Sequence, residues 1–222
     1  MTVSHRFVVV ATLFVTCLIT SNIIIAKQIS IGGIVLPAAI IIFPISYIIG
    51  DVLTEVYGYR QARRVIWLGF LCNLITVLAI WIAKILPPAP VFEAQNDYER
   101  ILGSTPRFLL ASFVAYLAGE FTNSVVLSKM KIMTKGRWLW TRTIGSTLIG
   151  QGVDTVAVLA IAFVGVLPVS VLGIMMFFHW LVKCAYEALA TPLTYVVVGY
   201  LKRKEDIDVY DYGVDFNPLR VI

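Results

Sequence analysis

The 222 residues are 59% hydrophobic and 14% charged, with a mean hydropathy of +0.87 and a formal net charge of +5. A soluble domain carries about 25% charged residues, so most of this surface faces lipid, and the length leaves room for no sizeable soluble domain. Three cysteines in apolar runs with no C-x-x-C pair, and only two histidines, exclude a disulfide framework and a histidine metal cluster, and no cofactor or metal is expected.

A bilayer core needs about 20 apolar residues per helix. Runs of that kind predict an all-α integral membrane protein, a single domain of six transmembrane helices over residues 7–26, 34–56, 65–86, 108–128, 144–167 and 171–201. The first run, Phe7–Ala26, is long for a signal peptide and is read as a retained span. A short loop ending at Gly32–Gly33 leads to the second. The third loop carries Pro87, Pro88 and Pro90, which stop a helix, then a polar stretch, then Pro106. The tail Glu205–Ile222 reads as a polar, acidic extension.

Lysine and arginine are distributed unevenly over this topology. Arg6, Arg60, Arg63, Arg64, Lys129, Lys131, Lys135, Arg137, Arg142, Lys202, Arg203, Lys204 and Arg220 fall on one side; only Lys27, Lys84, Arg100 and Arg107 fall on the other. Such a bias marks the cytoplasmic side and predicts a multi-pass protein with both termini cytoplasmic. The basic loops are then explained by orientation and contact with the lipid bilayer, not by nucleic acid.

The informative residues are the polar ones inside the spans. Asp51 and Glu55 stand four apart at the end of the second. Glu120, Asn123 and Ser124 share a face of the fourth, and Thr147, Gln151, Asp154 and Thr155 a face of the fifth. His179, Lys183 and Glu187 follow at four-residue steps in the sixth, which predicts a Lys183–Glu187 pair. An ionised side chain at mid-bilayer costs roughly 2.5–3.5 kcal/mol and marks a solute or ion route. Eight residues form the candidate substrate site: Glu120, Asn123, Gln151, Asp154, Lys183, Glu187, Asp51 and Glu55. Asp51 and Glu55 also read as interfacial partners of Arg60, Arg63 or Arg64. Ala111, Ala115 and Gly119 form a small-residue ridge that lets helices approach closely.

Three stretches carry a resemblance. They are Asp51-Val-Leu-Thr-Glu55-Val-Tyr-Gly58 with Ala62-Arg63-Arg64, Gly119-Glu-Phe-Thr-Asn-Ser124 with Leu127-Ser-Lys-Met-Lys131, and Arg142-Thr-Ile-Gly-Ser-Thr147 with Gly150-Gln-Gly-Val-Asp154-Thr155. In these the chain resembles the bacterial queuosine precursor transporter family, also grouped as putative vitamin uptake transporters. The resemblance implies uptake of a small purine-like substrate, 7-cyano-7-deazaguanine or a related 7-deazaguanine. It also implies a six-helix protein of the bacterial inner membrane, a bundle like the substrate-binding subunits of energy-coupling vitamin transporters. A carboxylate can accept both donors of a guanine-like edge at once. Phe121, Phe177 and Tyr186 offer rings to stack on the base.

With no G-x-x-x-x-G-K-[ST] in the chain, no P-loop ATPase is built in. A self-sufficient transporter and a binding subunit that needs a separate ATP-driven module both remain open, as does a homo-oligomer. A membrane enzyme or assembly factor would need a nucleophile–base pair or a metal set, and neither is found, so no enzymatic activity is expected.

Overall fold

A computed structural model describes residues 4–31, 34–103 and 106–220. Among the described residues there are seven α-helices: α1 (His5–Ile24), α2 (Phe43–Tyr57), α3 (Tyr59–Ile85), the short α4 (Gln95–Leu102), α5 (Pro106–Met133), α6 (Leu139–Phe163) and α7 (Val169–Glu205). The fold is a helical membrane bundle. Among the described residues, five helical segments are long and apolar enough to cross a bilayer: α1, α3, the segment ending in α5, α6 and α7.

The region predicted as a continuous second helix over 34–56 is built differently. Strands β1 (Gln28–Ile31) and β2 (Ile34–Pro37) pair antiparallel, a 3-10 turn follows at Ala38–Ile41, and only then does α2 begin. Gly32–Gly33, where the loop was expected to end, lies outside the described residues. The physical reason is proline. Pro37 and Pro44 cannot donate to a helix ladder, and Pro44 fits instead in the first turn of α2. At 15 residues α2 rises only about 22 Å, short of the ~30 Å hydrocarbon thickness. The hairpin and turn continue its path while pairing their own backbone groups, as in the bond from Ala38 N to Lys27 O of 2.8 Å.

The burial pattern is that of a membrane protein with a polar interior. Leu71, Ile75, Leu78 and Trp81 of α3 and Phe177, Phe178, Leu189 and Val196 of α7 face outward, while Asp51, Glu55, Glu120, Asn123 and Gln151 are buried. Helix α2 touches α1, α3, α5 and α7, so its acidic residues face the centre of the bundle. Helices α5 and α6 form an antiparallel hairpin whose turn places Lys135, Gly136 and Trp138 in the left-handed region.

Candidate functional site

The site begins with two glycines. A β-carbon at Gly119 of α5 would stand 2.7 Å from the Asp154 β-carbon and 3.2 Å from the Gly150 carbonyl oxygen. One at Gly150 of α6 would stand 2.7 Å from the Asn123 β-carbon. Only residues without a side chain allow this approach. It sets the Glu120–Asn123 face of α5 against the Gln151–Asp154 face of α6. The buried Ala111 and Ala115 continue the ridge.

Toward the hairpin end, a cavity opens between α1, α5, α6, α7 and the 3-10 turn. Asp154 and Lys183 line it together with Phe43, Tyr116, His179 and Asn22. The Lys183 Nζ donates to Asp154 Oδ2 at 2.5 Å and lies 4.7 Å from the centroid of the Phe43 ring. The expected Lys183–Glu187 pair is therefore absent: Lys183 reaches across to α6. Asn22 ties the cavity wall together, donating to Asn73 Oδ1 at 3.1 Å and accepting from Ser112 Oγ at 3.3 Å. The rings at this cavity are Phe43 and Tyr116. Phe121 instead packs in the core with Trp67, ring centroids 5.8 Å apart, and Phe177 is exposed.

Below the ion pair lies a buried polar layer. Asn123 Nδ2 donates to Asp51 Oδ1 at 2.6 Å. Among the described residues, both carboxylate oxygens of Glu120, both of Glu187, Asp51 Oδ2, Asn123 Oδ1 and Gln151 Oε1 have no hydrogen-bond partner. The hydroxyls of Tyr47, Thr147 and Thr155 are equally unpartnered. Buried polar groups in folded proteins are nearly always paired, so this concentration in one layer singles it out. Seven of the eight sequence-predicted residues meet here or at the ion pair above it.

The eighth, Glu55, does not. It lies one turn below Asp51 in a separate ionic cluster at the tail end. Arg142 Nη2 donates to Glu55 Oε1 at 2.8 Å and Lys202 Nζ to the same oxygen at 2.7 Å, with Lys131 Nζ 3.6 Å away. Its partners are these three, not Arg60, Arg63 or Arg64. Lys131 also donates to Asp208 Oδ1 at 2.6 Å. Burial pushes the Asp208 carboxyl up, but hydrogen bonds from Lys131 and Lys202 outweigh it and hold the group below the ordinary carboxylate range.

The tail is thus more than an extension. Asp211 Oδ2 accepts from the Tyr59 backbone N–H at 2.9 Å and from Ser128 Oγ at 2.6 Å. Arg63 Nη1 donates to the Asn217 carbonyl at 2.7 Å, and the Trp67 indole donates to the Pro218 carbonyl at 2.8 Å. Lys131, Arg142 and Arg63 were read as orienting charges. The structure buries all three and uses them to fasten the tail end of the bundle.

Sequence reasoning missed Phe43, Tyr116 and Asn22, and gave His179 only a position. Phe43 and Tyr116 are ordinary apolar-run residues, and nothing local marks them. Asn22, a lone amide near the end of α1, carried a signal that could have been read.

The profile of the family described as "Putative vitamin uptake transporter" matches residues 37–197. A protein of Bacillus subtilis (strain 168) described as "Probable queuosine precursor transporter" is 29% identical over 188 residues, covering 84% of this chain and 82% of its own. A protein of Haemophilus influenzae with the same description is 24% identical over 121 residues, 54% of this chain and 49% of its own. No solved structure matches the chain. The family is one of transporters, not enzymes, and the polar layer enclosed by long apolar helices agrees with that. With more than half its length matched, this multi-pass membrane chain belongs to the putative vitamin uptake transporter family.

Proposed function

We propose that the chain imports 7-deazaguanine precursors of queuosine, such as 7-cyano-7-deazaguanine, across the bacterial inner membrane. The observation that carries this reading is the Asp154–Lys183 pair on the wall of a cavity inside the bundle. A buried ion pair lying against an opening, in a transporter family, is a contact that a polar solute can exchange for its own. Asp154 is the carboxylate assigned to the base's N1–H and N2–H₂ edge, which it accepts in the charge-assisted bidentate manner. Lys183 then turns to the base carbonyl, Phe43 and Tyr116 cover the ring, and Gln151 and Asn123 read the remaining polar atoms below. The cavity volume is ≈ 110 Å³, below the about 300 Å³ of small ligand pockets. Binding therefore parts the ion pair and extends the cavity into the polar layer.

The excess of basic residues at the tail end puts both termini in the cytoplasm. The hairpin-end cavity then faces outward, and the Glu55 cluster closes the inner end. The similarity to relatives named for queuosine precursors supports the substrate class.

The test is uptake of labelled 7-cyano-7-deazaguanine by cells that cannot make queuosine precursors, with and without this chain as the sole added protein. Uptake is expected with the chain and lost in Asp154→Asn at normal membrane abundance. Normal uptake by Asp154→Asn would move the recognition carboxylate elsewhere. No uptake with the chain alone, but uptake with an added ATP-driven module, would replace the self-sufficient reading. Cysteine labelling of residues 87–103 from the cytoplasmic side would overturn the orientation.

A further inference from the structure

The polar layer poses a chemical problem that base recognition does not solve. Among the described residues its unpartnered atoms are seven carboxylate and amide oxygens, of Asp51, Glu120, Glu187, Asn123 and Gln151, against only three hydroxyls, of Tyr47, Thr147 and Thr155, so acceptors outnumber donors. An ionised carboxylate can only accept; a protonated one gains a donor. Lys183, the cation at the ion pair above the layer, is already bonded to Asp154. Glu120 and Glu187 are the extreme cases, each 1% exposed with neither oxygen partnered among the described residues, and Glu120 is the one set between the carboxylates of Asp154 and Glu187.

The groups that face it come from every side. Helix α2 presents Asp51 and Tyr47, α6 presents Asp154, and α7 presents Glu187. Tyr116 stands one turn along α5 itself, its hydroxyl donating to the Ile66 carbonyl of α3 at 2.9 Å. Asp154 and Glu187 lie within electrostatic reach of Glu120, and Cys72 of α3 within reach of Tyr116. From α1 the nearby side chain is Phe14, which with a Glu120 oxygen closes over Gly50. Among the described residues no arginine, lysine or amide donor reaches the Glu120 carboxylate. Isolated ionised carboxylates do not persist in such surroundings; they take up a proton.

We propose that Glu120 is the proton-binding group of this transporter, held as the neutral acid in the structure described here and giving up its proton toward the tail side as the base passes. The inference rests on the transport reading above and adds its energy source. The proton enters from the hairpin-end cavity past Tyr116 and Asp154. It leaves when the inner cluster opens and Lys131, Arg142 and Lys202 become available to an ionised acid. A metal cation is the poorer candidate, because among the described residues no three acidic, histidine or cysteine side chains converge as ligands.

The experiment uses the full chain reconstituted in liposomes that contain a trapped pH dye, with 7-cyano-7-deazaguanine outside. Base entry is expected to acidify the lumen. An inward proton gradient is expected to speed entry, and a sodium gradient of the same size to leave it unchanged. Infrared difference spectra of the purified protein at neutral pH are expected to show protonated-carboxyl absorption that loses one component in Glu120→Gln. Glutamine has the shape of the neutral acid, so this variant is expected to fold, with thermal unfolding as the control. Base entry without acidification and indifferent to the proton gradient would overturn the proton role and leave the transport reading standing. So would a sodium-driven rate, or carboxyl absorption left unchanged by Glu120→Gln. If no base binds or enters in any arm, the transport reading fails and the coupling falls with it.

Discussion

Asp51 and Glu55 stand one turn apart on the same helix, and both are buried at 1% exposure or less. Their surroundings are opposite. Glu55 is held by Arg142 and Lys202, with Lys131 close behind. Asp51 receives a single amide hydrogen bond from Asn123 and keeps one oxygen unpartnered. The sequence presents the two as equivalent carboxylates on one face. The difference separates two jobs. A carboxylate matched by opposite charges locks the helix ends together, while one left among acceptors is available to a solute or a proton.

The largest expected effect breaks the satisfied side of this contrast. Glu55→Ala takes this counter-charge from the buried Arg142 and Lys131 and the partly buried Lys202, and removal of one member of a buried pair costs about 3–5 kcal/mol. Thermal unfolding in detergent is expected to show that loss for Glu55→Ala and a clearly smaller one for Asp51→Asn. Equal losses would erase the distinction between the two positions.

Next comes the ion pair at the cavity. Lys183→Met leaves Asp154 facing the cavity without its cation, and loss of such a contact costs about 2–5 kcal/mol, or ~30-fold or more in base affinity. A double variant, Asp154→Asn with Lys183→Met, is expected to recover stability but not binding. Recovery of both would assign the pair to folding alone.

Smaller still is the steric test of the α5–α6 approach. Gly150→Ala puts a methyl against Asn123, and overpacking of this kind costs about 1–3 kcal/mol. Base affinity is expected to fall with stability, since the approach also sets Asn123 against Gln151. An unchanged unfolding temperature would show that the helices can separate without penalty.

At the tail, Arg63→Ala removes donors to the Asp215 and Asn217 carbonyls and is expected to expose residues 206–220 to limited proteolysis. Arg60→Ala, on an exposed side chain of the same turn, is expected to stay within about 0.5 kcal/mol of the parent. The smallest effect is on acidification. Asp208 titrates below its ordinary value in the folded state. Its hold on the tail is therefore present above the unfolded carboxylate pKa of about 3.9 and is lost as pH falls through the lower folded value. Proteolysis of the tail that rises instead on the alkaline side would contradict this sign.

Hydropathy alone determined that the chain lives in a membrane, because apolar runs of spanning length have no other stable solvent. Charged and amide residues inside those runs were legible too, since lipid makes each of them costly enough to need a reason. The spacing of Glu120 with Asn123 and of Gln151 with Asp154 placed each pair on one helix face. What the sequence could not decide was partnership. Four-residue spacing lets Lys183 pair with Glu187 along its own helix, and only the packing of α6 on α7 brings Asp154 to it instead. Glu55 was separable from Asp51 only once the tail had folded back and brought Asp208 beside Lys131 and Lys202. The hairpin before α2 escaped periodicity because a short apolar run reads alike as strand or buried helix. Which charges are neutralised is a property of distances between helices, and those distances exist only in the tertiary structure.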